Sequence, residues 1–187
     1  MQETPRGAML SISRAFSEIQ EVMQQLGLPL SVAAINGETE TVVSGEPQFI
    51  DSLIEHLKQT ETRYQKLAST RAFHSPLMQG MTGAFRDAVS KARLQAAQIP
   101  VISNVSGDWL DDNDSLSPDY WVRHMLEPVQ FIKGIQCLAS AGFQTFVEIG
   151  PAPILLGMAR REFKGDAAWI PTLRQGREDV RQLQELL

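Results

Sequence analysis

Residues 30–45, LSVAAINGETETVVSG, decide the fold of the first part of this chain. LSVAAI and ETVVSG are both rich in β-formers, and Asn36-Gly37 between them has the turn chemistry of a hairpin. On the N-terminal side, AMLSIS (residues 8–13) reads as a strand. The following AFSEIQEVMQQL carries Phe16, Ile19, Val22, Met23 and Leu26 at helical spacing before Gly27 and Pro29. On the C-terminal side, Pro47 opens a helix with Phe49, Ile50, Leu53, Ile54 and Leu57 on one face, and RYQKLA (63–68) alternates as a last strand.

The order β-α-β-β-α-β over residues 1–70 is the split βαβ pattern of a ferredoxin-like subdomain. Beyond it, a helix is expected from Leu77 to about Gln98, and Pro100 leads into the strand VISNV. The loop GDWLDDNDSLSPD follows, and the helical YWVRHMLE stops at Pro128. A helix over 129–141, the strand FQTFVEIG, the helix PILLGMARREF, a strand over 169–173 and a tail helix in GREDVRQLQELL complete an α/β alternation. Glu148-Ile149-Gly150-Pro151 reads as a strand end and tight turn that positions the next helix.

With 43% apolar and 21% charged residues, the 187-residue chain can bury a core. The net charge of -5 comes without a basic block, which argues against a nucleic-acid partner. Cys137 is the single cysteine, and with His56, His74 and His124 it is too few ligands for a Cys/His metal cage. A reducing cytoplasmic setting and no membrane partner are expected, because no stretch reads as a signal peptide or a membrane span.

GxSxG, GxxxxGK[ST], HExxH and GxGxxG are all absent. The serines of VVSGE and NVSGD lack a glycine two positions earlier and read as turn residues. TRAFHSPLM is more informative. His74 falls at the junction between the small subdomain's last strand and the next helix, where imidazole either caps structure or serves as a general base in a cleft. His56 reads as solvated, and His124 reads equally as packing or as site.

Seven stretches in register resemble the malonyl-CoA:acyl carrier protein transacylases and the acyltransferase domains of modular polyketide synthases. They are GAMLSI, VAAINGETETVVSG, RAFHSPLM, PVISNVSG, YWVRHMLEPVQF, FVEIGPAPILLGM and WIPTLRQGRED. The resemblance implies a ferredoxin-like subdomain over 1–70, the C-terminal part of an α/β-hydrolase-like acyltransferase core over 71–168, and a linker and helix over 169–187. It implies acyl exchange through a seryl intermediate, from a coenzyme A thioester to the phosphopantetheine thiol of an acyl carrier protein, with no bound cofactor. His74 matches the general base, and His124 matches the position of the group that orients it, through its backbone.

Arg71-Ala72-Phe73-His74 matches the segment that selects the acyl unit. Phe73 resembles the malonyl type, Arg71 departs from the usual histidine, and Asn36 lies in the segment that in the family follows a strand lining the cleft, where it either helps hold the pantetheine arm or is an ordinary hairpin-turn residue. In the family, the serine's GHSxG motif, the arginine that pairs with the malonyl carboxylate and the oxyanion-hole amides lie upstream of the matching stretches. The expected partners are therefore malonyl-CoA, a carrier protein, an N-terminal part of the domain and neighbouring synthase domains. The alternative is a non-catalytic module that docks a carrier protein.

Overall fold

The computed structural model describes residues 4–184, so the outer residues of the expected small subdomain and tail helix, 1–3 and 185–187, lie outside the described residues. The chain divides into two compact units, one ending at Gly134 and the other beginning at Ile135.

In the first unit the elements run β1 (Ala8–Ile12), α1 (Phe16–Gln25), β2 (Ser31–Gly37), β3 (Glu40–Gly45), α2 (Pro47–Gln59) and β4 (Tyr64–Lys66). They form a four-stranded sheet of order β2-β3-β1-β4 in which every neighbouring pair is antiparallel. Alternation along β1 divides its residues between two faces. Leu10 and Ile12 pack with Ile19 and Met23 of α1 and with Ile50, Leu53 and Leu57 of α2. Met9 points the other way and packs with Ala33, Val42 and the partly buried Phe73. Both helices therefore lie on one face, and the segment leading to His74 lies on the other.

The hairpin turn is Glu38-Thr39, two residues beyond the expected Asn36-Gly37, with Gly37 paired to Glu40. The β2–β3 register slips between Val32 and Ala34 and again between Ile35 and Gly37, so Asn36 is the extra residue of a bulge inside β2. The strand outruns the turn signal because the bulge takes up the Asn-Gly pair.

After β4 the chain forms a 3₁₀ helix, Pro76–Met81, then α3 (Thr82–Ser90), α4 (Asp112–Leu116), α5 (Pro118–Leu126) and α6 (Phe131–Ser140), which runs on past Gly134. The expected single helix from Leu77 to Gln98 is thus broken and ends at Ser90. Its first turns are tight, and residues 91–98 carry Leu94 as their one large apolar side chain, too little to hold helix by burial. The expected strand VISNV is reduced to one bridge, Ile102 with Trp109. Ser103 accounts for this: its hydroxyl accepts from the amides of Val105 and Ser106 and turns the chain back.

The second unit, described by itself, holds β5 (Thr145–Glu148), α7 (Ile154–Glu162), β6 (Ala168–Pro171) and α8 (Asp179–Gln184). β5 and β6 pair in parallel, as the crossover through α7 requires. The Phe146 and Trp169 rings stack at 4.6 Å, and Phe163 meets Phe146 edge-on at 5.2 Å. The Glu148 carboxylate accepts from the amides of Leu155 at 3.1 Å and Leu156 at 2.8 Å, which caps the first turn of α7. Replacing Glu148 by alanine should destabilise this unit by about 1 kcal/mol, the usual cost of a lost cap, as read from a urea denaturation midpoint.

Candidate active site

His74, between β4 and the 3₁₀ helix, has a conformation few residues adopt: its φ is +58°, in the left-handed region. The backbone on its C-terminal side is pinned by Ser75. That hydroxyl is 2% exposed, donates to the Ala72 carbonyl at 2.6 Å and accepts from the Leu77 amide at 3.3 Å, capping the 3₁₀ helix. A left-handed φ costs a residue with a Cβ about 1–2 kcal/mol, and the bonds of Ser75 help to hold it.

The imidazole Nδ1 donates to the backbone carbonyl of Glu127 at 2.9 Å. A carbonyl can only accept, so the proton resides on Nδ1 and the Nε2 lone pair is left available. The orienting carbonyl is Glu127's, three residues beyond His124, where α5 gives way to Pro128.

That carbonyl is held by the sheet. Val129 donates to the Ala33 carbonyl at 2.9 Å and accepts from the Ile35 amide at 2.9 Å, a parallel bridge along the open edge of β2. The small sheet, built from residues far away in sequence, thereby fixes the group that sets the tautomer of His74.

The His124 ring lies edge-on to His74, with centroids 6.5 Å apart, and its Nε2 is 3.3 Å from Asn104 Nδ2. Tyr120 and Trp121 also border it, at 6.2 and 5.9 Å. Phe73 packs on Met9, Ala33 and Val42, so its ring is braced against the sheet. Arg71 goes elsewhere: its Nη1 donates to the Thr70 carbonyl at 2.9 Å. It lines a recess of about 520 Å³ with Arg6 and Lys66, and neither Phe73 nor His74 borders that recess. Asn36 is half-buried in the β2 bulge, one residue beyond the Ile35 amide that holds Val129.

Burial lowers the His74 pKa below the usual histidine range and the charge of the His124 ring adds to the lowering, while interactions with the backbone of Glu127 and of His124 oppose it. Burial also lowers His124. Both rings are therefore neutral near pH 7. Between the folded values and the unfolded value of about 6.5, the unfolded chain binds more protons. The stability linked to these rings is complete above about pH 6.5 and falls as the pH drops below it. A urea midpoint that declines from about pH 7.5 to about pH 5.5, and declines less in a His74→Gln variant, is the expected result.

The resemblance points to a backbone group at His124; the 2.9 Å partner of Nδ1 is the carbonyl of Glu127, three residues on, which a side-chain pattern does not mark. Its trace is Pro128, which ends α5 and has no amide hydrogen to donate back into the last turn.

A left-handed histidine whose Nδ1–H is held by a carbonyl, beside a second imidazole, presents an Nε2 lone pair that can accept a proton. The profile of the acyl transferase domain family matches residues 1–187. The chain is 35% identical over 186 residues to the spectinabilin polyketide synthase system protein NorB of Streptomyces orinoci, covering 96% of this chain and 9% of that protein. It is 32% identical to the PKS-NRPS hybrid synthetase acdB of Aspergillus candidus, covering 97% and 7%.

Among solved structures, the acyltransferase domain from the second module of the salinomycin polyketide synthase matches with a TM-score of 0.91 at 32% identity, over 99% of this chain and 44% of that one. The acyltransferase domain of SpnD, solved in complex with 2-(pent-4-yn-1-yl)malonyl, matches with a TM-score of 0.88 at 28% identity, over 96% and 44%. The chain belongs to the acyl transferase domain family, as a C-terminal part of a domain of the polyketide synthase type. It spans less than half of the solved domains it matches.

Proposed function

We propose that this chain is the base-bearing part of an acyltransferase domain that loads malonyl or a related acyl unit from coenzyme A onto an acyl carrier protein. The observation that carries the reading is the 2.9 Å bond from His74 Nδ1 to the Glu127 carbonyl, which leaves Nε2 free to take a proton. In the proposed reaction His74 Nε2 deprotonates a serine hydroxyl, the serine oxygen attacks the thioester carbon, and the coenzyme A thiolate leaves with the proton returned by His74. The carrier's phosphopantetheine thiol then attacks the acyl-serine, with the same ring moving its proton.

On this reading residues 1–70 are a ferredoxin-like small subdomain, 71–168 belong to an α/β-hydrolase-like core, and 169–187 lead towards a neighbouring synthase domain. His124 supports the base from α5. Phe73, braced against Met9, Ala33 and Val42, limits the room for an α-branch and favours malonyl, while Asn36 borders the pantetheine arm and Arg71 flanks the acyl site.

The 187 residues carry no GHSxG motif, so the nucleophile and the carboxylate-binding arginine come from another segment. The chain by itself is expected to take no acyl label from radioactive malonyl-CoA, whereas the domain completed by a GHSxG-bearing segment takes one equivalent. Stoichiometric labelling of the isolated chain, or none of the completed domain, would overturn the reading.

A further inference from the structure

Two consecutive residues of the loop before α4 meet α5 one helical turn apart. Ser103 Oγ lies 2.9 Å from the buried Tyr120 hydroxyl, and Asn104 Nδ2 lies 3.3 Å from His124 Nε2. The Asn104 carbonyl, in turn, accepts from the Gln130 amide at 2.8 Å. One residue thus grips both ends of the stretch 124–130, in whose middle the Glu127 carbonyl meets His74. The loop that presents Asn104 is itself fixed. The Gly107 amide donates to the Ser103 carbonyl at 2.8 Å, and Gly107 has a φ of +74°, with space for a Cβ already taken by Lys133 and Gln130.

We propose that Asn104 is a positioning residue for acyl transfer, holding the 124–130 stretch in place and His124 in its neutral Nδ1–H form so that Glu127 can orient His74. The proposal rests on His74 being the base. A carboxamide NH₂ can only donate, so His124 Nε2 must accept from it and carry no proton. This matters during turnover, when His74 becomes an imidazolium. A neutral ring with its centroid 6.5 Å away lets that charge form, whereas a second imidazolium would oppose it. Burial of His124 acts in the same direction. An aspartate at 104 would do the reverse, because its carboxylate would draw a proton onto His124.

Nitrogen-15 NMR of labelled histidine, recorded on the acyltransferase domain that contains this chain, tests the assignment alongside transfer kinetics. In the unaltered domain His124 Nε2 is expected at the shift of an unprotonated acceptor nitrogen. Asn104→Ala should return His124 to a mixture of tautomers, weaken the His74 Nδ1–H signature and lower kcat on the order of tenfold with KM for the acyl-CoA unchanged. Asn104→Asp keeps the shape and the backbone bond to Gln130, so it carries the test even if the alanine variant fails to fold. It should turn His124 into an imidazolium near neutral pH. Unchanged nitrogen shifts in both variants would overturn the clamp itself. Altered shifts together with undiminished transfer by a His74→Ala domain would instead overturn the assignment of the base.

Discussion

Replacing His74 by alanine in the complete domain is expected to slow acylation of the carrier protein 100-fold or more, the range that loss of a well-placed general base produces. The expectation follows from geometry. The Glu127 carbonyl accepts the Nδ1–H bond and keeps the proton on Nδ1, so Nε2 is the ring's one basic nitrogen. Burial keeps that nitrogen unprotonated near neutrality, as the proposed deprotonation of a serine requires. Glycine separates chemistry from backbone strain at this position. A left-handed φ costs a residue with a Cβ about 1–2 kcal/mol and costs glycine far less, so His74→Gly should fold more stably than His74→Ala while transferring no faster. Near-normal transfer by either variant, measured as radiolabelled acyl-carrier formation, would remove His74 from the mechanism.

Gly7→Ala is expected to cost about 3 kcal/mol, the upper part of the usual range for overpacking. An added Cβ would lie 2.4 Å from the Ala72 amide nitrogen and 2.6 Å from the Ala72 Cβ. Neither neighbour is the end of a flexible side chain. The Gly7 amide also donates to the Thr70 carbonyl at 3.0 Å, so β1 and the segment leading to His74 would have to part to make room. Ala72 is 1% exposed, and its carbonyl holds the Ser75 hydroxyl, so the displacement would reach the base as well. Gly80→Ala, where a Cβ meets nothing within 4 Å, should stay within about 0.5 kcal/mol of the parent in the same urea series. Equal midpoints for the two variants would refute the close approach.

Where each element has one face to bury, the sequence carries its own account. Leu10 and Ile12 in β1, Ile19 and Met23 in α1, and Ile50, Leu53 and Leu57 in α2 follow periods of 2 and about 3.6 because all meet in one core, and that spacing can be read directly. Reading failed where backbone polar groups decide. The β2 bulge moved the hairpin turn off Asn36-Gly37, and the Ser103 hydroxyl turned what looked like a strand into a loop. The segment 91–98 consists of helix-compatible residues with no face to bury, so propensity alone overstated it. His74 and His124 could be singled out as candidates by residue type and resemblance. That the chain would bring their rings together, with Glu127 completing the arrangement through its backbone and Asn104 through its amide, depends on non-local pairing that a linear pattern does not encode.

The pairing of β5 with β6 has a bearing on how the protein behaves in a test tube. Parallel strands are normally covered on both faces and flanked by further strands, yet the described residues supply this ladder with only two members, and Val147 and Ile149 stand 55% and 89% exposed. Among the described residues β5 pairs with no other strand on its outer edge, while on β6 the Gln182 side chain donates to the Pro171 carbonyl. Such an edge recruits whatever β-segment is nearby, a correct neighbour or another copy of itself, and a net charge of -5 spread over the whole surface does little to prevent it. Colloidal behaviour should therefore depend on protein concentration more than on salt.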